Sequence, residues 1–415
     1  MIKQYKEYLL PLLPLVFPFF LRGESVLYFK SFAHSIGMDK FTILTLLILI
    51  VGLFTRSKYK YYKPSSWFFF VPFLIIPAIF FTPSYSSILA EHKVVRIVEV
   101  FLPIYTAYVY SNKVNVLDDA YLLRFIKYYV VALFIYMIIA YLWWLFFLQY
   151  IYDPTDTLGF SRLKTPLGGS TITGDYLAIA PLMSLVIFKN KSFSFIIALF
   201  FLFCIYLSGT RTAMFVSLGI IALFYFKSKH AFRHYFLIIT GLIICVFVVV
   251  SMGYSIERFT HSETSRTLSQ GVFLSSFFSA NDIVSLLFGS GLGNYFPYNS
   301  WLVLAHSGLY QHVDNTIGNT DLLVDPHSSY IWAIMELGLL GLILFFGKFF
   351  LEAKRSFTFL INGGYSTIDK LLAAYVLSIS LILFAESVFF NYPLLSLNFW
   401  FFIIIFSKRY KYKQL

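Results

Sequence analysis

The sequence predicts an all-α, polytopic membrane protein. Of its 415 residues, 59% are hydrophobic, 21% are aromatic and only 13% are charged, whereas soluble proteins carry about a quarter charged residues. Apolar runs of the length needed to cross the hydrocarbon core, about 17–25 residues, recur from end to end. We expect one integral membrane domain over residues 1–415, with no separate soluble domain.

Twelve transmembrane helices are predicted, and several of them are short for a bilayer. Flanking Tyr and Trp residues, which favour the membrane interface, extend the short ones. The predicted spans are 8–22, 41–55, 66–82, 95–112, 121–150, 174–189, 192–208, 212–226, 235–254, 328–348, 370–390 and 393–407.

The basic residues predict the orientation, because Lys and Arg concentrate in cytoplasmic loops. With both termini inside, the inner connections hold 22 of the 32 Lys and Arg residues. The net charge of +12 is therefore a signal of topology, and its dispersal over the inner loops argues against nucleic-acid binding. Cys204 and Cys245 both fall within predicted spans and are interpreted as packing residues.

The largest outer segment, residues 255–327, separates spans nine and ten. Loops of this length are usually functional when they occur in compact proteins. Thr267–Ser279 has a partly amphipathic helical pattern, and Ile283–Phe288 is an apolar run that ends in the glycine cluster 289–293. That cluster lacks the lysine of a phosphate-binding loop, so we interpret it as a turn. No metal-binding motif is evident, and no cofactor is expected.

Arg211 is the sharpest candidate for a binding residue, because it lies between two predicted spans at the membrane boundary. Ionisable groups at such depth are functional hypotheses, and a guanidinium binds phosphate through a planar fork of donors. We favour phosphate binding over the alternative, an arginine that anchors a helix end.

Four further basic residues of the outer face are weaker or more ambiguous candidates. Arg266 follows Ser265, which would cap the loop helix and add its free N–H groups to an anion site. Arg258, Lys93 and Arg96 would either extend the basic face or mark helix ends. A solvated loop arginine is the alternative for Arg266.

His327 is the candidate catalytic residue. It ends the long polar segment, follows Pro326 and directly precedes an apolar span. A histidine gains or loses a proton near neutral pH, so at the membrane surface it is suited to deprotonate a hydroxyl. The alternative is an interfacial or helix-capping histidine; His261, His306 and His312 have the neighbours of ordinary loop residues.

Several segments resemble, in order and spacing, the bacterial O-antigen ligase and polymerase superfamily. The segments are Ser208–Ala213, Leu287–Gly293, His327–Ser328 and Glu336–Gly341. His327-Ser328, followed after nine residues by Gly338 and after two more by Gly341, is similar to the ligase motif. The resemblance covers about residues 90–390.

The resemblance implies a GT-C-type glycosyltransferase of the bacterial inner membrane with its active site facing the periplasm. A ligase of this kind moves a glycan from undecaprenyl pyrophosphate to a sugar hydroxyl of lipid A-core, without metal or ATP. Arg211 and Arg266 would then hold the pyrophosphate, and His327 would activate the acceptor. Arg162 and Lys164 match a basic element of the family, although the Pro-Asn that many members have after it is missing here.

Two alternative functions stay open. A polymerase of the same superfamily uses the same donor chemistry but joins lipid-linked repeat units to each other. A flippase or other transporter of lipid-linked oligosaccharide would suit twelve spans, but related halves, common in transporters, are not evident. We favour the ligase because of the His-Ser-to-Gly spacing.

Overall fold

The computed structural model describes fourteen parts of the chain. They are residues 2–16, 40–55, 59, 90–148, 162–163, 165, 170–225, 270–271, 274, 278, 283–289, 328–362, 365–386 and 388–413. Every regular element within these residues is helical, as predicted. In chain order the helices are α1 (Ile2–Val16), α2 (Lys40–Phe54), α3 (Ala90–Ser111), α4 (Asp119–Trp143), α5 (Ser170–Leu177), α6 (Ala180–Ile187), α7 (Lys191–Leu207), α8 (Arg211–Tyr225), α9 (Ile283–Phe288), α10 (Ser329–Ile361), α11 (Thr367–Ala385), α12 (Val388–Asn391) and α13 (Pro393–Lys413).

Four stretches of helix are long and apolar enough to cross a membrane by length and composition. They are Asp119–Phe146, Ser170–Ile187, Ser329–Ile361 and Thr367–Ala385. Four shorter apolar helices lie at Glu7–Val16, Thr42–Phe54, Lys191–Leu207 and Arg211–Tyr225. The chain is therefore an α-helical membrane protein. The predicted spans 66–82 and 235–254 lie outside the described residues.

The observed helices differ from the predicted spans at four places. The fifth span passes from α-helix to a π-helical turn at Trp144–Leu148, and the sixth is broken between α5 and α6, where Pro181 opens the second piece. The tenth helix runs thirteen residues beyond its predicted end. The prediction that the eleventh span reaches residue 390 was wrong: α11 ends at Ala385, and Glu386 has extended backbone.

Helices α10, α11 and α13 form the centre of the bundle. Helix α11 packs between α10 and α8, and α13 packs along α3. Rings of Phe389 and Trp400 stack at 4.8 Å, and Phe345 meets Trp400 edge-on at 5.8 Å. Such pairs contribute about 0.5–1.5 kcal/mol each beyond the area they bury. Cys204 is buried as a free thiol, as its predicted packing role requires.

A buried amide ties five helices together. Asn398 of α13 donates hydrogen bonds to the hydroxyls of Tyr129 and Tyr176, at 3.0 and 2.9 Å, and accepts one from Tyr375. Tyr176 in turn donates to the carbonyl of Leu15, at 3.2 Å. Buried polar networks whose members are satisfied specify a unique arrangement of the elements they join. This network therefore fixes the relative positions of α1, α4, α5, α11 and α13.

Basic residues predicted to lie on one side of the membrane meet at one end of the bundle. Arg409, only 1% exposed, pairs with Asp119 and Asp369 and donates to the carbonyl of Val116 at 2.8 Å. Lys408 donates to Ser111 Oγ at 2.8 Å and to Asn112 Oδ1 at 2.7 Å, and Lys113 donates to Thr55 O at 2.7 Å. We call this the basic end, defined by Lys113, Lys408 and Arg409.

Candidate functional site

The opposite end of the bundle carries the described candidate residues. Thr210, immediately before α8, donates to the carbonyl of Ser170 at the start of α5 at 3.2 Å. At the start of α10, the N–H and Oγ of Ser329 donate to the carbonyl of Glu386 at 3.1 and 2.9 Å.

The Asn398–Tyr176 hydrogen bond brings these two groups of residues to the same end. Asn398 lies five residues into α13 and Tyr176 six residues into α5, so both are less than about 10 Å from their helix starts. From these starts α13 runs to Arg409 at the basic end, and α5 continues through α6 to Phe188, beside Lys127 of α4. The starts of α5 and α13 therefore lie at the same end of the bundle. We call this the site end, defined by Ser170, Arg211, Ser329 and Glu386.

Arg211 is the first residue of α8, in the turn that connects α7 to α8. Its side chain is partly exposed, as expected of a cation at the membrane boundary. The turn is closed by Gly209 N–H, which donates to Tyr206 O at 2.8 Å, and by Ser208 Oγ, which donates to Ile205 O at 2.6 Å. Arg211 is therefore presented from a fixed turn at the site end.

Arg162 contacts the same turn. A Cβ built on Gly209 would lie 3.2 Å from Cδ and 3.3 Å from Nε of Arg162. The next residue, Leu163, donates its N–H to Leu207 O at 2.9 Å, which holds this segment against the end of α7. The structure thus places the side chain of Arg162 against the turn that carries Arg211. Arg211 is predicted from its position to bind phosphate, and Arg162 belongs to the basic element that the resemblance implies.

Hydroxyl side chains line the contact between α5 and this turn. The Oγ1 of Thr165 lies 3.0 Å from that of Thr173, and Ser208 Oγ lies 3.0 Å from Thr210 Oγ1. A Cβ at Gly174 would overlap Thr210 and lie 2.7 Å from Ser208 Oγ. Gly174 is therefore required for α5 to approach the turn, and the sequence analysis missed this contact. The available sequence signal was Gly174 at the start of the sixth predicted span, because the turn Ser208–Arg211 follows the next span.

Three carboxylates are buried at this end. Glu336 is 0% exposed, Asp175 is 3% exposed and Glu386 is 5% exposed. Glu386 falls within the predicted span 370–390, but it instead terminates α11. Asp175 was missed, although an acid within a span is itself a pointer to function.

Ser328, the residue after His327, forms the start of α10. Its Oγ accepts from Ile331 N–H at 3.5 Å and donates to Leu383 O at 3.4 Å. His327 itself lies outside the described residues, as do Arg258, Arg266 and Lys164. The backbones of Lys93 and Arg96 lie in the first turns of α3, and their side chains are outside the described part.

Two of the motif fragments meet in space. Leu287–Gly289, at the end of α9, contacts Glu336–Gly338 in α10 through the backbones of Gly289 and Gly338. Gly289 has a φ of 72°, a conformation that glycine adopts without steric cost; the other residues of the predicted turn, 290–293, lie outside the described residues. Gly341, the second glycine of the ligase-like motif, accommodates the Leu337 side chain, which a Cβ at 341 would overlap.

The site end can bind an anion and present a capped helix start beside it. No protein-family model matches this chain, and no curated protein matches it either.

Proposed function

We propose that the protein is a glycosyltransferase of the O-antigen ligase type. It would transfer a glycan from undecaprenyl pyrophosphate to a sugar hydroxyl of lipid A-core, at the periplasmic face of the bacterial inner membrane. The observation that carries the proposal is the position of the Arg162 side chain against Gly209, two residues before Arg211. Two guanidinium groups at one turn suit a diphosphate, which presents several acceptor oxygens to planar forks of donors.

The proposed reaction is a single inverting displacement. The acceptor oxygen attacks the anomeric carbon, the bond from that carbon to the pyrophosphate oxygen breaks, and the electron pair leaves with the pyrophosphate. His327 takes the proton of the acceptor hydroxyl. Positioned donors that stabilise developing negative charge supply the largest contribution in many enzymes, and this is the role proposed for Arg162, Arg211 and Arg266.

The site-end location of Ser328 supports the assignment of His327 as the base. Ser328, to which His327 is covalently joined, is 2% exposed and hydrogen-bonded to α11 at the site end. Helix α8 packs along α11 and also contacts α10. The start of α8 is docked at the site end by Thr210, and the start of α10 by Ser328 and Ser329.

Transfer by purified protein in lipid nanodiscs tests the proposal. The donor is an undecaprenyl-pyrophosphate glycan, offered with lipid A-core in one reaction and with a second lipid-linked repeat unit in another. We expect product on lipid A-core and a loss of about 10²–10⁴-fold in rate for His327→Ala, the usual contribution of a general base. His312→Ala is the matched control from the same loop and should retain the rate.

The other outcomes identify the alternatives. Product on the lipid-linked repeat alone would replace the ligase by a polymerase. Movement of the donor across a vesicle membrane without any transfer would favour a flippase. Undiminished transfer by His327→Ala would remove that residue from the mechanism.

A further inference from the structure

Helix α10 is two helical segments joined at Gly338. The backbone of Gly338 has φ 69° and ψ −173°, although helix continues on both sides. This φ lies in the left-handed region that glycine adopts without steric cost and other residues rarely adopt. We call the nine residues Ser329–Leu337 the outer segment. Because of the break at Gly338, the helix axis of the outer segment need not follow that of Leu339–Ile361.

Gly289 contacts the C-terminal end of the outer segment. A Cβ on Gly289 would lie 2.5 Å from the carbonyl carbon of Glu336 and 2.5 Å from the nitrogen of Gly338. A Cβ on Gly338 would overlap the nitrogen of Gly289 and the carbonyl group of Leu287. Real Cβ atoms are not found so close to backbone atoms. The contact therefore requires glycine on both sides.

Ser329 fixes the N-terminal end of the outer segment. Its N–H and Oγ both donate to the carbonyl of Glu386, and its Oγ accepts from Phe389 N–H at 3.4 Å. Ser329 is fully buried, so these hydrogen bonds are shielded from water. The outer segment is thus fixed at its C-terminal end by the residue after α9 and at its N-terminal end by the α11–α12 connection.

We propose that Gly289 and Gly338 are a positioning pair for the reaction inferred above. By fixing the outer segment, they set the position of Ser328 at its start and, through Ser328, that of the adjoining His327. The inference rests on the proposed function, because it assigns a purpose to the contact only if His327 is the base. Both glycines act through the backbone of α10 and not through contact with the reacting groups.

The proposal predicts a separation between catalysis and donor binding. Arg162 and Arg211 are held by α5, α7 and the turn before α8, which the Gly289–Gly338 contact does not involve. Displacing the outer segment should therefore lower kcat and leave the KM for the lipid pyrophosphate donor within a few-fold of the wild type. A displacement of about 1 Å at a catalytic group can cost about 10²-fold in rate.

The experiment compares Gly338→Ala and Gly289→Ala with two control glycines in described helices. A Cβ at Gly219 meets nothing within 4 Å, and one at Gly347 meets only Ile343 at 4.0 Å. We expect about 10²-fold lower kcat for each of the first two variants, with donor KM retained. Gly219→Ala and Gly347→Ala should keep both constants.

Ser329→Ala provides a second test if the glycine variants fail to fold. It removes the side-chain bonds to the α11–α12 connection and should lower kcat roughly tenfold, again at constant donor KM, as the loss of one buried hydrogen-bonding group allows. Ser184→Ala is the control, because that buried hydroxyl bonds only Ala180 O of its own helix at 2.8 Å.

The outcomes separate the two proposals. Wild-type kcat in the Gly338→Ala or Ser329→Ala variant, with an active wild type, would overturn the positioning role alone. A parallel rise in donor KM would do the same, because it would indicate general disruption. Absence of transfer by the wild type and all controls would refute the proposed function and the positioning role with it.

Discussion

The side chain of Arg162 lies across Gly209, two residues before Arg211. Its Cδ and Nε are 3.2 and 3.3 Å from the position that a Cβ at residue 209 would occupy. The Arg162 side chain therefore lies against the turn that carries Arg211, although the two residues are 49 positions apart in the sequence. The four predictions that follow concern this turn and the basic end of the bundle.

Arg162 and Arg211 are expected to act on the same ligand. Replacing either by Met should lower kcat/KM for the lipid pyrophosphate donor by about 10²–10³-fold, the usual effect of losing one charge-stabilising donor. The double variant should lose less than the product of the two single losses, because groups that share a ligand are not independent.

The control for the arginine variants is Lys354→Met, which removes an exposed positive charge from α10 far from the site end. It should retain the wild-type kcat/KM. Strictly multiplicative losses for Arg162 and Arg211, measured by steady-state transfer assays, would contradict a shared diphosphate.

Thr210 is expected to set the position of Arg211. Its Oγ1 lies within hydrogen-bonding distance of the carbonyls of Ser170 and Thr171, at 3.2 and 3.4 Å, and so docks the turn onto α5. Thr210→Val preserves the shape but removes the hydroxyl. We expect donor KM to rise roughly tenfold with a smaller change in kcat, the reverse of the pattern expected for Gly338→Ala.

Thr210→Ser should restore much of the donor affinity, because it retains the hydroxyl. Thr106→Val is the matched control: that buried hydroxyl donates only to Leu102 O of its own helix at 2.8 Å. An equal rise in donor KM for Thr106→Val would show that the effect is a general cost of losing a buried hydroxyl.

Arg409 is expected to be the main electrostatic support of the basic end. Arg409→Met would leave Asp369, which is 3% exposed, without this partner. Breaking a buried ion pair on one side costs about 3–5 kcal/mol, so the free energy of unfolding in detergent should fall by about that amount. Lys354→Met serves again as the control, and a fall of equal size there would contradict the prediction.

Lys408 is expected to make the stability of the protein depend on pH. Burial lowers the pKa of Lys408 from its ordinary value of 10.5 to about 7. Between these pH values the unfolded chain binds a proton that the folded chain does not, so the free energy of unfolding rises with pH. Relative to Lys408→Met, the wild type should gain stability from about pH 7 to pH 10 and show a constant difference below pH 7.

Unfolding of the wild type and of Lys408→Met across this pH range measures the effect. A difference in unfolding free energy that stays constant from pH 7 to pH 10 would contradict it. Lys113 should contribute in the same direction, because burial also lowers its pKa.

The sequence by itself determined the helical membrane class and the approximate helix positions, because apolar runs of membrane length leave the backbone few alternatives. It also determined which residues are candidates for function. A cation between two spans, such as Arg211, carries a free-energy cost at membrane depth whatever the tertiary structure. The concentration of Lys and Arg in inner loops predicted that Lys113, Lys408 and Arg409 share one side of the bundle.

Only the tertiary structure decided which of these residues meet. The contacts of Arg162 with Gly209, of Gly174 with Thr210 and of Gly289 with Gly338 join segments that are 36 to 49 positions apart. Local periodicity carries no information about such contacts, because it reports the face of one helix and not its neighbour. The break of α10 at Gly338 and the end of α11 at Glu386 were hidden for the same reason: both are stabilised by a neighbouring backbone rather than by the local sequence.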